Sequence, residues 1–166
     1  MRRLRFEPKP AILTSLSYGV RLDPGYFRHV ADLRAHLEDV YWSDAVPALT
    51  AEDVARLSLL VDQAERKLAS RPIQIPYREH RELHLLVFCR LENPIVTALL
   101  ETYWDLYEAV GLDIYADLDY LERVWGYHRR IVERIEAKDY DEGHRLLLEH
   151  MTLIDQRANG WANPAQ

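Results

Sequence analysis

The chain is expected to fold as an all-α protein, an antiparallel bundle of six or seven helices. Three observations predict this. Apolar residues recur at three- and four-residue spacing through most of the 166 residues. Helix-starting and helix-stopping residues punctuate those stretches, and no strand-like alternation of useful length interrupts them. A chain of this size fits one domain with a substantial core. At 48% hydrophobic and 29% charged residues, with only 6 Gly and 8 Pro, the composition is that of a folded globular domain.

Residues 1–22 show no clear periodicity and read as an arm or linker. The folded domain is expected over 23–160, with a tail at 161–166. Asp23-Pro24 supplies an N-cap and a first-turn proline, and Val30, Leu33, Leu37 and Val40 then follow at helical spacing to about Trp42. Thr50-Ala-Glu-Asp53 has the form of a capping box and opens a helix through Leu57, Leu60, Val61, Ala64 and Leu68. Residues 71–76 connect to a third helix carrying Leu83, Val87 and Leu91, which stops at Asn93-Pro94. That pair restarts the chain, Asn93 as cap and Pro94 in the first turn, and Gly111 is expected to close the new helix. A fifth helix is expected over 117–137, and a sixth from Asp139 to about Asn159-Gly160.

Charge and cysteine usage narrow the function classes. A net charge of −6, with Arg2, Arg3 and Arg5 as the basic cluster, argues against nucleic-acid binding by this chain alone. No apolar run approaches the about 20 residues that cross a bilayer, and the N-terminus lacks the apolar block of a signal peptide. The single cysteine, Cys89, cannot form an intrachain disulfide and is expected to be a small buried side chain. A cytoplasmic location is the expectation.

Histidines carry the strongest functional signal. His80 and His84 stand four apart, one above the other on a helix face. They share the stripe of Val87 and Leu91. His128 falls between Leu121, Val124 and Trp125 on one side and Ile131, Val132 and Ile135 on the other. His150 lies among Leu146, Leu147, Leu153 and Ile154. Four inward-facing imidazoles would each cost free energy if buried without a partner. A shared divalent cation satisfies them together, as bundle metal sites do with side chains from facing helices. His144 sits about 120° around the helix from His150 and is expected on a solvated face. His29 and His36 lie one step off the apolar stripe, at flank or interface positions.

Over residues 23–157 the chain resembles the FCD domain, the C-terminal effector-sensing domain of FadR-branch GntR-type transcription regulators. The motifs that carry the likeness are Asp32-Leu-Arg34-Ala-His-Leu-Glu38, His84 followed nine residues later by Asn93-Pro94, and His128, Asp139 and His150. One position departs from the pattern. Where the family places Asp as its first metal ligand, this chain has His80, which is then either a direct ligand or a partner behind the ligands.

The histidines point to a divalent metal held by His80, His84, His128 and His150, zinc first and nickel second because imidazole suits both, and the resemblance implies an effector beside it, with Arg34 and Asn93 contributing to its binding. Four neutral imidazoles leave a cation at about +2, against about +1 with a carboxylate in the set, so small carboxylate effectors are favoured. Arg34 is suited to a bidentate pair with an acid group, or alternatively to a salt bridge with Glu38. The resemblance also implies a homodimer that reaches DNA only through a winged helix-turn-helix domain not contained in this chain. Two other readings remain: a metal-dependent enzyme resembling the DinB-like bundles, a hydrolase or transferase with Glu79, Glu82 or Glu149 as base, and a metal-free interaction bundle.

Overall fold

The computed structural model describes residues 6–110 and 118–161, with side chains over 6–109 and 118–153. Among the described residues seven α-helices follow one another: α1 (Lys9–Leu22), α2 (Phe27–Ala45), α3 (Ala51–Leu68), α4 (Tyr77–Val87), α5 (Pro94–Val110), α6 (Leu118–Glu136) and α7 (Tyr140–Trp161). The all-α expectation holds. Short 3-10 turns at Pro24–Tyr26 and Val46–Ala48 bracket α2. The expected Gly111 cap, the start at 117 and the tail beyond 161 lie outside the described residues.

Local chemistry sets the helix ends. Thr50 and Asp53 form the capping box of α3: Thr50 Oγ1 accepts from the Asp53 amide at 3.2 Å and Asp53 accepts from the Thr50 amide at 2.8 Å. Asn93 Oδ1 accepts from the amides of Ile95 and Val96 at 3.1 and 3.3 Å, capping α5. Between α6 and α7, Lys138 takes a left-handed φ of 57°, and the Asp139 amide donates to the Arg134 carbonyl at 2.8 Å. This left-handed closing turn is the geometry that glycine usually supplies.

Two apolar clusters make the core. The larger joins α3, α4, α6 and α7 with Trp42 and Ala45 of α2 and Val96 and Leu100 of α5, and the smaller joins Val20, Phe27, Val30, Tyr103, Trp104 and Leu106 from α1, α2 and α5. Gly143 lets α7 approach α2, since a Cβ there would come within 3.0 Å of the Trp42 ring. The Trp42 indole then donates to the Tyr140 carbonyl at 3.0 Å.

Several expectations are corrected. Residues 9–22 are helical rather than a linker: Leu13, Leu16 and Val20 face α5, and Lys9 pairs with Glu101 and Asp105 at 3.1 and 3.0 Å. The inward face of α2 is Phe27, Val30, Arg34, Glu38, Trp42 and Ala45, while Leu33 and Val40 are 42% and 68% exposed. Hydrophobicity misplaces that face because its central pair is ionic and self-neutralising. Helix α4 ends at Val87, before Leu91, and the turn beyond it delivers Arg90 to Asp53 at 2.7 and 2.9 Å. Cys89 is exposed in that turn, not buried. The end of helix α7 at Trp161 agrees with the expected close near Asn159-Gly160.

Candidate metal centre

Helices α4, α6 and α7 bring their inward histidines to one point. Ring nitrogens of His80, His84, His128 and His150 all lie within 4.8 Å of one another. His84, His128 and His150 are enclosed, at 2%, 0% and 0% exposure, whereas His80 is only partly buried. His128 Nε2 stands 3.2 Å from His84 Nε2 and 3.1 Å from His150 Nε2. Nitrogens bound to a tetrahedral cation at about 2.0–2.1 Å are about 3.3 Å apart. The donor spacing therefore already approximates one edge after another of such a site. Neutral imidazoles at this separation repel through their lone pairs unless a proton or a cation lies between them.

Aromatic rings wall the cluster. Trp104 of α5 lies 4.8 Å from His80 and 5.0 Å from His84, and Trp125 of α6 lies 4.8 Å from His128, centroid to centroid. Trp104 belongs to the smaller apolar cluster and Trp125 to the larger. The site thus sits where the two cores meet.

Arg34 and Glu38 complete the wall from α2. The guanidinium donates to both carboxylate oxygens, at 2.7 and 2.8 Å, and the pair is almost wholly enclosed. Arg34 also lies over the rings of Tyr103 and Trp104 at 5.0 and 5.4 Å. Its Nη2 is 2.8 Å from His84 Nδ1, while Glu38 Oε2 is 3.3 Å from the same nitrogen. These contacts are alternatives. If His84 directs its Nε2 lone pair at a cation, Nδ1 carries the proton and donates to Glu38. If Nδ1 instead accepts from Arg34, the ring proton of the neutral imidazole is on Nε2 and blocks ligation.

Burial holds all four imidazoles well below the ordinary histidine range, with the Arg34 charge and neighbouring histidines adding to the depression. They are neutral at pH 7, the state that ligates metal. Burial also pushes the Tyr103 hydroxyl up to about 12, so it remains a donor. Among the described residues, the buried side-chain polar atoms without a hydrogen-bond partner are, apart from Thr102 Oγ1, those of these same residues: His80 Nε2, His128 Nδ1, His150 Nδ1, Tyr103 Oη and Trp104 Nε1. Together the four imidazoles could hold a metal ion.

The remaining sequence-predicted residues stand apart from the cluster. The Asn93 side chain caps α5 and donates to the Tyr41 hydroxyl at 3.4 Å. His144 is not on a fully solvated face: it stacks on Trp42 at 5.8 Å and meets Asp39 at 2.7 Å. His29 and His36 are exposed on α2. Glu79 is buried against Lys67, Glu82 pairs with Arg78, and Glu149 pairs with Arg145. Tyr103 and Trp104 were not foreseen as part of the site. Their apolar bulk on a helix signals core packing, and only the fold turns them toward the histidines.

A helical bundle with a four-histidine cluster in its core, edged by an arginine, belongs to the class of domains that could hold a metal ion. The sequence matches the FCD domain family over residues 29–153, about three-quarters of the chain. The chain belongs to this family, the FadR C-terminal domain of GntR-family regulators. No curated protein and no solved structure matches it.

Proposed function

We propose that this chain is the effector-sensing domain of a GntR/FadR-type transcription regulator. It binds a divalent cation, zinc before nickel, through its histidine cluster, and a small carboxylate metabolite beside it. The convergence of His80, His84, His128 and His150 next to Arg34 carries the reading. Unpartnered N–H and O–H groups of Trp104 and Tyr103 add a donor surplus that an anion would satisfy. Asn93 contributes by capping α5, the helix that presents both residues. The carboxylate closest to the cluster in hydrogen-bonding terms, Glu38, is held bidentate by Arg34. That favours a sensor over a hydrolase needing a free base. The regulator reading includes a homodimer, for which exposed Leu33 and Val40 of α2 offer apolar surface, and DNA contact through a separate domain. Ligand binding would bias the relative placement of the two copies.

Elemental analysis after zinc loading tests the site. His84→Ala, His128→Ala and His150→Ala are expected to lose most of the metal, and His144→Ala to retain it. Equal metal content in all four variants would sink the metal-centre reading. A thermal-shift screen then tests the effector class. Mono- and dicarboxylates should stabilise the loaded protein, neutral sugars should not, and the effect should shrink in Arg34→Ala.

A further inference from the structure

The four histidines are not equivalent. His84, His128 and His150 are sealed in, and their Nε2 atoms form a continuous chain of 3.2 and 3.1 Å steps. His80 lies in the first turn of α4 and is partly exposed. It forms part of the wall of a cavity of about 430 Å³ between α4 and α5, together with Tyr77, Arg81, Trp104 and Tyr107. Its Nε2 and the Trp104 indole nitrogen are both buried behind that wall and have no hydrogen-bond partner. Cavities of this size accept small metabolites.

We propose that His80 is the exchangeable ligand of the centre. A carboxylate arriving through the cavity between α4 and α5 takes its coordination position, while His84, His128 and His150 keep the cation. The Trp104 N–H donates to the carboxylate's second oxygen. This inference rests on the metal-centre reading above. In the exchange one carboxylate-oxygen bond to the cation forms and the His80 nitrogen bond breaks. The imidazole leaves neutral, so no proton or electron is transferred. The drive is electrostatic: replacing a neutral donor with an anion lowers the charge of the buried centre from about +2 to about +1. A carboxylate side chain at this position would already have supplied that negative charge and would resist displacement. The histidine makes the fourth position responsive.

Cobalt(II) reports the exchange directly, because its visible absorption changes with ligand set. The full chain is loaded with Co²⁺ and titrated with acetate, in the wild type and in His80→Ala, His128→Ala and Trp104→Phe. His80→Ala is expected to keep Co²⁺, bound more weakly than by the wild type, since three imidazoles remain to hold it. His128→Ala should lose it. Acetate should bind His80→Ala at least about tenfold more tightly than the wild type, since no protein ligand has to leave, and Trp104→Phe should weaken acetate binding while leaving the starting spectrum unchanged. Equal acetate affinity in wild type and His80→Ala, or loss of Co²⁺ from His80→Ala as complete as from His128→Ala, overturns the proposal. If His80→Ala does not fold by circular dichroism, His80→Gln supplies the same comparison with the cavity wall kept. A wild-type protein that takes up no Co²⁺ removes the metal-centre reading itself, and the exchange with it.

Discussion

Arg34 and Glu38 show how a pair of charges can be buried at low net cost only together. Both side chains are about 2% exposed or less, and each satisfies the other with two short hydrogen bonds. Removing one partner strands a buried charge, which typically costs about 3–5 kcal/mol. Glu38→Ala and Arg34→Ala should each destabilise by that order in urea unfolding, whereas the apolar double variant Arg34→Met/Glu38→Leu should lose less than either single change. Additive losses would show that the pair is not coupled. The histidines set a pH dependence whose sign follows from burial. Their folded-state values are depressed, so the unfolded chain takes up protons first. Stability from the neutral cluster is present above about pH 6.5, the unfolded histidine value, and is lost as pH falls below it. Melting temperatures of chelated protein should therefore drop on acidification from pH 7 toward pH 5. His128→Asn should flatten that slope; an unchanged slope would count against a buried neutral His128.

At the scale of elements, most boundaries follow local signals, and the exceptions have physical causes. The capping box at Thr50 and the Asn93 cap could be read from residue order, because their bonds span only two or three positions. Helix α1 could not, since Leu13, Leu16 and Val20 make a weak stripe whose stability comes from docking on α5. The face of α2 was misread because its inward residues include an arginine and a glutamate, which periodicity counts as solvent-facing. Lys138 offers a test of the α6–α7 turn. A non-glycine residue in the left-handed region costs on the order of 1 kcal/mol. Lys138→Gly should raise the melting temperature, by an amount corresponding to at most about 1 kcal/mol, and leave metal content unchanged. A lowered melting temperature would mean that the lysine side chain contributes contacts outweighing the backbone strain.

For the whole molecule, the centre ties together elements distant in sequence. His84 on α4, His128 on α6 and His150 on α7 are separated by 44 and 22 residues, and the unfolded chain has no preformed site that gathers them on one cation. Metal binding should therefore act as folding free energy. At a free zinc concentration a hundred times the dissociation constant the gain is about 2.7 kcal/mol. Calorimetry of the zinc-loaded protein should give one cooperative transition, above that of the chelator-treated protein. Identical transitions would mean that the cluster does not bind zinc.

What the sequence by itself determined is the helical class, the caps and the inward direction of His80, His84, His128 and His150, because these depend on periods of three to four residues. The FCD likeness was also legible there, in the spacing of Arg34, Glu38, His84, Asn93, His128 and His150. Only the tertiary structure decided which partners those side chains meet. It placed Glu38 and Arg34 on the two sides of one choice at His84 Nδ1, set Trp104 and Tyr103 against the cluster, and put His80, unlike the other three histidines, on a cavity wall. The reason is range. Helical periodicity gives a side chain's direction within its own helix, whereas a hydrogen-bond partner 50 residues away, such as His84 for Arg34, is chosen by how α2, α4 and α5 pack.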